Sequence, residues 1–249
     1  MRLIRLFLVL SSSLAWAASM QYVPTLHTSS GGTWSVVQLK YFDTSSAGTG
    51  GSSCTVGGST CTVNVTAVGA NHVLVCGVWY ANGAARTLNG CGGGETWIVC
   101  PSPTCATFDS TPQIGVDARY TLTAVGGETT LTCTINASAS AGLACIVMEL
   151  AYSGPSTSID VVNNLDITTG CTSCTGVALT LTGTKDAIVT MGAPANNFTA
   201  ISSPYSTNAQ FYGGSVEAAS INTSSGTAPT ITQDSSGRAV LFAVAVKGN

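Results

Sequence analysis

Beyond its first thirty residues the sequence is written in a period of two. Cys61, Val63, Val65 and Ala67 alternate with Thr62, Asn64 and Thr66; Leu131, Cys133 and Ile135 alternate with Thr130, Thr132 and Thr134; Val177, Leu179 and Leu181 alternate with Thr180 and Thr182. Side chains along a strand point to opposite faces in turn, so this spelling sets an apolar face against a core and threonine against water. Four further runs, 73–79, 143–148, 187–191 and 239–246, are apolar on both faces. Such runs suit central strands, or strands whose outer face is also covered. In the last run Val240, Phe242, Val244 and Val246 form the bulkier face, which is expected to point into the core. Gly126-Gly127, between 120–125 and 129–135, reads as a hairpin turn. With no sustained helical period after the leader, the expected fold is all-β: an antiparallel β-sandwich, jelly-roll-like and disulfide-stapled.

The staples are ten cysteines: Cys54, Cys61, Cys76, Cys91, Cys100, Cys105, Cys133, Cys145, Cys171 and Cys174. An even set in an exported chain points to disulfides before metal or redox chemistry. Short spacing favours Cys54 with Cys61, Cys100 with Cys105, and Cys171 with Cys174. Cys76, Cys133 and Cys145 lie in strand-like runs and are expected to link neighbouring strands. A redox reading of Cys171-Thr172-Ser173-Cys174 would want a helix after the first cysteine, whereas 175–184 reads as a strand.

Export is read from the N-terminus. Arg2 and Arg5, an apolar stretch over 6–14 and Ala15-Trp16-Ala17-Ala18 have the make-up of a secretory signal peptide, residues 1–17. The apolar stretch is far shorter than the ~20 residues a spanning helix needs, so no transmembrane anchor is expected in the mature chain. Residues 18–32 form an N-terminal arm, in which Met20, Tyr22, Val23 and Leu26 are candidates for adding to a sheet edge of a neighbouring subunit. Residues 33–249 form a single β-sandwich domain.

Without Arg2 and Arg5, six cations remain against eleven acids. That balance argues against nucleic acid, which requires clustered cations. Charged residues make up 8% of the chain, against ~25% in ordinary globular proteins. A surface so poor in charge lacks the usual defence against self-association.

Catalytic motifs are not evident. His27 and His72 are the two histidines, and no Gly-x-Ser-x-Gly elbow accompanies them; His72 reads as a packed or capping residue. A glycosidase would need two carboxylates from among Glu95, Asp109, Asp117, Glu149, Asp160, Asp166 and Glu217. Of these Glu149 interrupts an apolar strand and is expected on its exposed face. Asp160, Asn163, Asn164 and Asp166 offer oxygens to calcium, but their spacing fits no EF-hand and reads as a solvated loop. No metal or cofactor is expected. Trp79, Tyr80 and Trp97, with Tyr205, Phe211 and Tyr212, are candidates for stacking on sugar rings, with core packing as the plainer use. Sequons at Asn64, Asn136, Asn197 and Asn222 are glycosylation candidates wherever a glycosylation machinery exists.

The opening strand 34–42, Asn71-His72-Val73-Leu74-Val75, Gly126-Gly127-Glu128-Thr129-Thr130-Leu131-Thr132, Tyr152-Ser153-Gly154 and the closing strand 239–247 together resemble a diffuse group of secreted bacterial and phage-associated β-sandwich proteins, mostly of unassigned function. In that group Glu commonly precedes the Tyr-Ser-Gly; here Ala151 does, with Glu149 two residues earlier. The resemblance implies a surface adhesin, an appendage subunit or a carbohydrate-binding module.

The sequence thus points to a non-enzymatic extracellular structural protein, a filament or surface-layer subunit whose partners are copies of itself. The alternative is a carbohydrate-binding or adhesive module for a surface polysaccharide, with a hydrolase third. Amino-terminal sequencing of the secreted protein is expected to begin at Ala18 or Ser19; a retained Met1 would contradict the leader assignment.

Overall fold

The computed structural model describes residues 32–45, 48–101, 104–111, 113–211 and 215–249. Met20, Tyr22, Val23 and Leu26 of the arm, His27 and Tyr212, and the leader 1–17, lie outside the described residues. All regular structure among the described residues is strand, and every pairing is antiparallel.

Three sheets form. Sheet A has the order β1 (Trp34–Asp43), β10 (Gly142–Tyr152), β4 (Val73–Ala81), β8 (Ile114–Thr121), β6 (Ile98–Val99), with β7 (Thr107–Asp109) also on β8. Sheet B has the order β2 (Gly51–Cys54), β3 (Thr60–Asn64), β9 (Thr130–Ile135), β5 (Leu88–Gly90). Sheet C has the order β11 (Thr157–Thr175), β16 (Thr230–Gly248), β12 (Asp186–Pro194), β15 (Ser215–Thr223), β14 (Thr207–Phe211), with β13 (Phe198–Ile201) on β16. Up to β10 the chain alternates between sheets A and B, and β1-β10-β4-β8 facing β3-β9-β5 is the strand order of a jelly roll. The remaining strands all enter sheet C, a third layer that the sequence reading does not anticipate.

The two-sided apolar runs explain the third layer. On β4 and β10, Val75, Trp79, Ile146, Met148 and Leu150 pack against Val189, Met191, Phe242 and Val244 of sheet C. Their opposite faces, with Leu74, Cys76, Val78, Leu143, Cys145 and Val147, pack against Val63, Leu131 and Cys133 of sheet B. Sheet A is therefore covered on both sides. The approach of A and C is close at Gly77, where a Cβ would lie 2.8 Å from the Met191 sulfur. As expected, Val240, Phe242, Val244 and Val246 face the core. Leu241, Ala243 and Ala245 on the other face are buried too, because Leu179, Tyr205, Ile231 and Cys174 cover the outside of sheet C.

Two local readings are corrected. Gly126-Gly127 does not close a hairpin: β8 lies in sheet A and β9 in sheet B. The two glycines, at φ 90° and 92°, instead turn the chain between layers, with Gly127 N donating to Val68 O at 2.8 Å. Residues 176–185 are not a strand, although Leu179 is buried between exposed neighbours. The alternation there reflects a segment lying over an apolar surface without a ladder partner.

All ten cysteines are bridged: Cys54–Cys61, Cys76–Cys91, Cys100–Cys105, Cys133–Cys145 and Cys171–Cys174. Cys133–Cys145 joins β9 to β10, and so sheet B to sheet A; Cys76 on β4 joins the segment following β5. Replacing Cys133 and Cys145 together by alanine is expected to lower unfolding stability by about 3 kcal/mol, the loop-closure scale for a short bridge. Urea denaturation of the two proteins measures it.

Candidate functional site: buried carboxyls and an open strand edge

The sequence places Glu149 on an exposed face; instead it has no exposed surface. Its side chain leaves β10 on the sheet B side, where the loop 65–72 closes over it. One carboxylate oxygen accepts from Gly69 N at 2.8 Å and meets His72 Nδ1 at 2.5 Å. The other accepts from the Gln38 amide, and that amide also donates to Thr66 O while its oxygen accepts from Thr66 N, each at 2.9 Å. A buried carboxylate is tolerated where donors satisfy it, and here they pin one loop to two strands. His72 is partly exposed and packs closely on Gly69, where a Cβ would meet its ring.

The other carboxylates are spread over the fold, in different surroundings. Asp117 is buried beside Arg119, with Nη1 2.8 Å from Oδ1, and accepts from Leu88 N at 2.8 Å; burial raises its pKa while Arg119 opposes the rise. Asp109 pairs with Arg238 at 2.8 Å. Asp166 is exposed near both, and burial followed by the Asp109 charge raises its pKa. Glu95 accepts from Val125 N and Gly126 N and is pushed up by partial burial and then by neighbouring Glu128. Glu217, on the inner face of β15, is fully buried, its oxygens accept no hydrogen bond, and burial holds it well above the carboxylate range.

Asp160 and Asp186 are a second pair of neighbouring carboxyls after Glu95 and Glu128, and here one member is fully buried. Asp160 is the bulged residue of β11, where the register shifts between Ile159 and Val161, and a bulge re-aims the side chain it carries. It accepts from Thr182 N at 2.6 Å and from the Thr182 hydroxyl. Burial pushes it upward, but these bonds hold it below the usual range. Asp186 opens β12 with no exposed surface. Burial, then the hydrogen bond and charge of Asp160, raise it to about 7. Two carboxyls pushed apart in this way share one proton. Asp186 escapes the sequence reading because it follows Lys185 in what looks like an ordinary polar turn.

Several sequence candidates do not form a site. Trp79 is 3% exposed in the core between sheets A and C, which removes it from any sugar platform. Trp97 packs on the sheet B core and donates its indole N–H to Gly92 O at 2.8 Å, and Tyr205 is buried over sheet C. Asp160, Asn163, Asn164 and Asp166 lie on strand β11 rather than in a loop, and Asn164 is occupied by the carbonyls of Thr104 and Ala106. Cys76, Cys133 and Cys145 are the one group of three whose ligand atoms lie within 4.8 Å of one another among the described residues; their sulfurs are consumed by bridges. Of the sequons, Asn64 donates to Gly51 O and Asn197 to Asp234. Asn222 is tied by both amide atoms to the Trp34 backbone, at 2.7 and 2.9 Å, so a glycan there would break two bonds. Asn136 is exposed and uses its oxygen to accept from Thr87 N.

The sheet edges differ in protection. The outer edge of β1 is closed by Asn222 at Trp34, by a bulge at Val37, and by Gly50 N donating to Tyr41 O at 3.2 Å. β11 is an edge strand of 19 residues whose single sheet partner is β16. Asn164 and the 104–106 loop cover its middle. Its distal part, with Thr168, Thr169, Gly170, Thr172 and Ser173 exposed, has no lysine, arginine or proline, although its register against β16 shifts between Ile167 and Cys171 and again between Cys171 and Ser173.

No protein-family model and no curated protein matches the chain. No helix among the described residues is long and apolar enough to cross a membrane.

Replacing Glu149 by alanine leaves Gly69 N, Gln38 and His72 without their shared acceptor. Thermal or urea unfolding is expected to show a loss of about 3 kcal/mol, the scale for breaking a buried charged network.

Proposed function

We propose that this is an extracellular structural protein that associates with copies of itself through the distal edge of β11. The observation that carries the reading is that edge: a long strand ending in exposed, uncharged threonine, serine and glycine, with residues 168–170 outside the ladder to β16. Two further features support it. Six of the eleven acids, Asp43, Asp109, Asp117, Glu149, Asp186 and Glu217, are buried, so a chain already poor in charge shows still less of it to a neighbour. Five disulfides suit an oxidising exterior, in keeping with the leader-like residues 1–17. In the sequence of the arm 18–32, Met20, Tyr22, Val23 and Leu26 are further candidates for such contacts. A sugar-binding role loses support with Trp79 in the core.

Sedimentation velocity across a hundredfold concentration range, with electron microscopy of the same samples, tests the proposal. The protein is expected to form concentration-dependent oligomers or filaments. Thr168→Lys/Thr169→Lys places two cations on unpaired, exposed residues of the edge and is expected to weaken association at least tenfold with the melting temperature unchanged. A protein that stays monomeric throughout, or a variant that assembles equally well, overturns it.

A further inference from the structure

The outer face of sheet C is closed by a strap. Residues 176–185 leave the distal end of β11 and return across sheet C to the start of β12. Gly176 N donates to Pro229 O and Leu179 N to Gly226 O, each at 2.8 Å. Leu179 sits among Ile188, Tyr205, Ala218, Ala243 and Ala245, with Leu181 partly buried beside it. At the distal end Gly176, Val177 and Pro229 lie against Asn163, Leu165 and Phe242 with no space for a water between them. At the other end Thr182 is bonded to Asp160, Lys247 Nζ reaches the Thr182 hydroxyl at 3.4 Å, and Asp186 lies so close under Gly183 that a Cβ there would meet its Oδ1 at 1.8 Å. The proximal end of the strap therefore rests on two carboxyls from the two strands that flank β16.

We propose that the Asp160–Asp186 pair is a proton latch that holds the strap 176–185 over sheet C in acidic surroundings and lets it open in alkaline ones. The groups facing the pair are few. β11 contributes Asp160 itself, β16 contributes Lys247 opposite Asp186, and β15 contributes the uncharged Thr223. Lys185, next in the strap, is exposed. With one proton between them the carboxyls attract. When Asp186 ionises, two anions face each other and Lys247 offsets part of the repulsion. Asp186 keeps its proton to about 7 in the folded chain, whereas an unfolded aspartate loses it near ~3.9. The folded state therefore binds more protons between these values. The stabilisation is full at low pH and is lost as pH rises through about 7. Opening the strap uncovers the apolar outer face at Ile188, Ala218, Ala243 and Ala245. The inference does not depend on self-association.

Hydrogen exchange of the intact protein, followed by mass spectrometry at a concentration where it is monomeric and corrected for intrinsic rates, tests the latch between pH 5.5 and 8.5. Protection of 176–185 is expected to fall at least tenfold over that range while β10 stays unchanged. In Asp186→Asn the amide donates to Asp160 at every pH, so its strap is expected to remain protected at pH 8.5. Asp160→Asn removes the repulsion from the other side and is expected to flatten the profile likewise, which preserves the comparison if the first variant does not fold. Wild-type protection independent of pH, or variants that lose it as the wild type does, overturns the proposal.

Discussion

The architecture rests on one constraint: β4 and β10 are apolar on both faces and must be covered twice. A jelly roll covers one face, through Val63, Leu131 and Cys133 of sheet B against Leu74, Cys76 and Val147. The other face would leave Trp79, Ile146, Met148 and Leu150 in water, at a cost of about 2 kcal/mol or more for each large side chain. Sheet C supplies the cover. It is itself apolar on both faces at β12 and β16, so it needs a further cover in turn, which the strap and the returning ends of β11, β13 and β16 provide. Burial thus proceeds outward layer by layer until the remaining faces carry threonine and serine.

Disulfides and carboxyls work at the joints between layers. Cys133–Cys145 ties sheet B to sheet A, Glu149 fastens the loop over the same boundary, and Asp160 with Asp186 fastens the strap over sheet C. A chain with few charges has placed many of them where low dielectric magnifies their effect. The outer surface is correspondingly neutral, and the distal part of β11 is an edge without lysine, arginine or proline.

Much of the fold was legible because it depends on alternation. Strand identity, the central positions of 73–79, 143–148, 187–191 and 239–246, the core-facing side of the last run and the three short disulfide pairings follow from residue spacing. The third layer was not legible, since a run that is apolar on both faces says that it is covered without saying by what. The Gly126-Gly127 turn was misplaced for a related reason: glycine permits the sharp turn but does not choose the sheet that the next strand joins. Glu149 was assigned to the wrong environment because one acid in an apolar run resembles the outward member of an alternation. Its acceptors' partners, Gln38, Gly69 and His72, come from 77 to 111 residues away. Asp186 has no sequence signal at all, since its partner Asp160 is aimed at it by a bulge.

Self-association through β11 is the central claim, and the most direct measurement is backbone exchange at that edge as a function of protein concentration. The account predicts that the amides of 168–173 gain protection as concentration rises, while β4, β10 and the closed edge of β1 do not change. Exchange at 168–173 that is the same in dilute and concentrated protein, with the gain located elsewhere or nowhere, would contradict it.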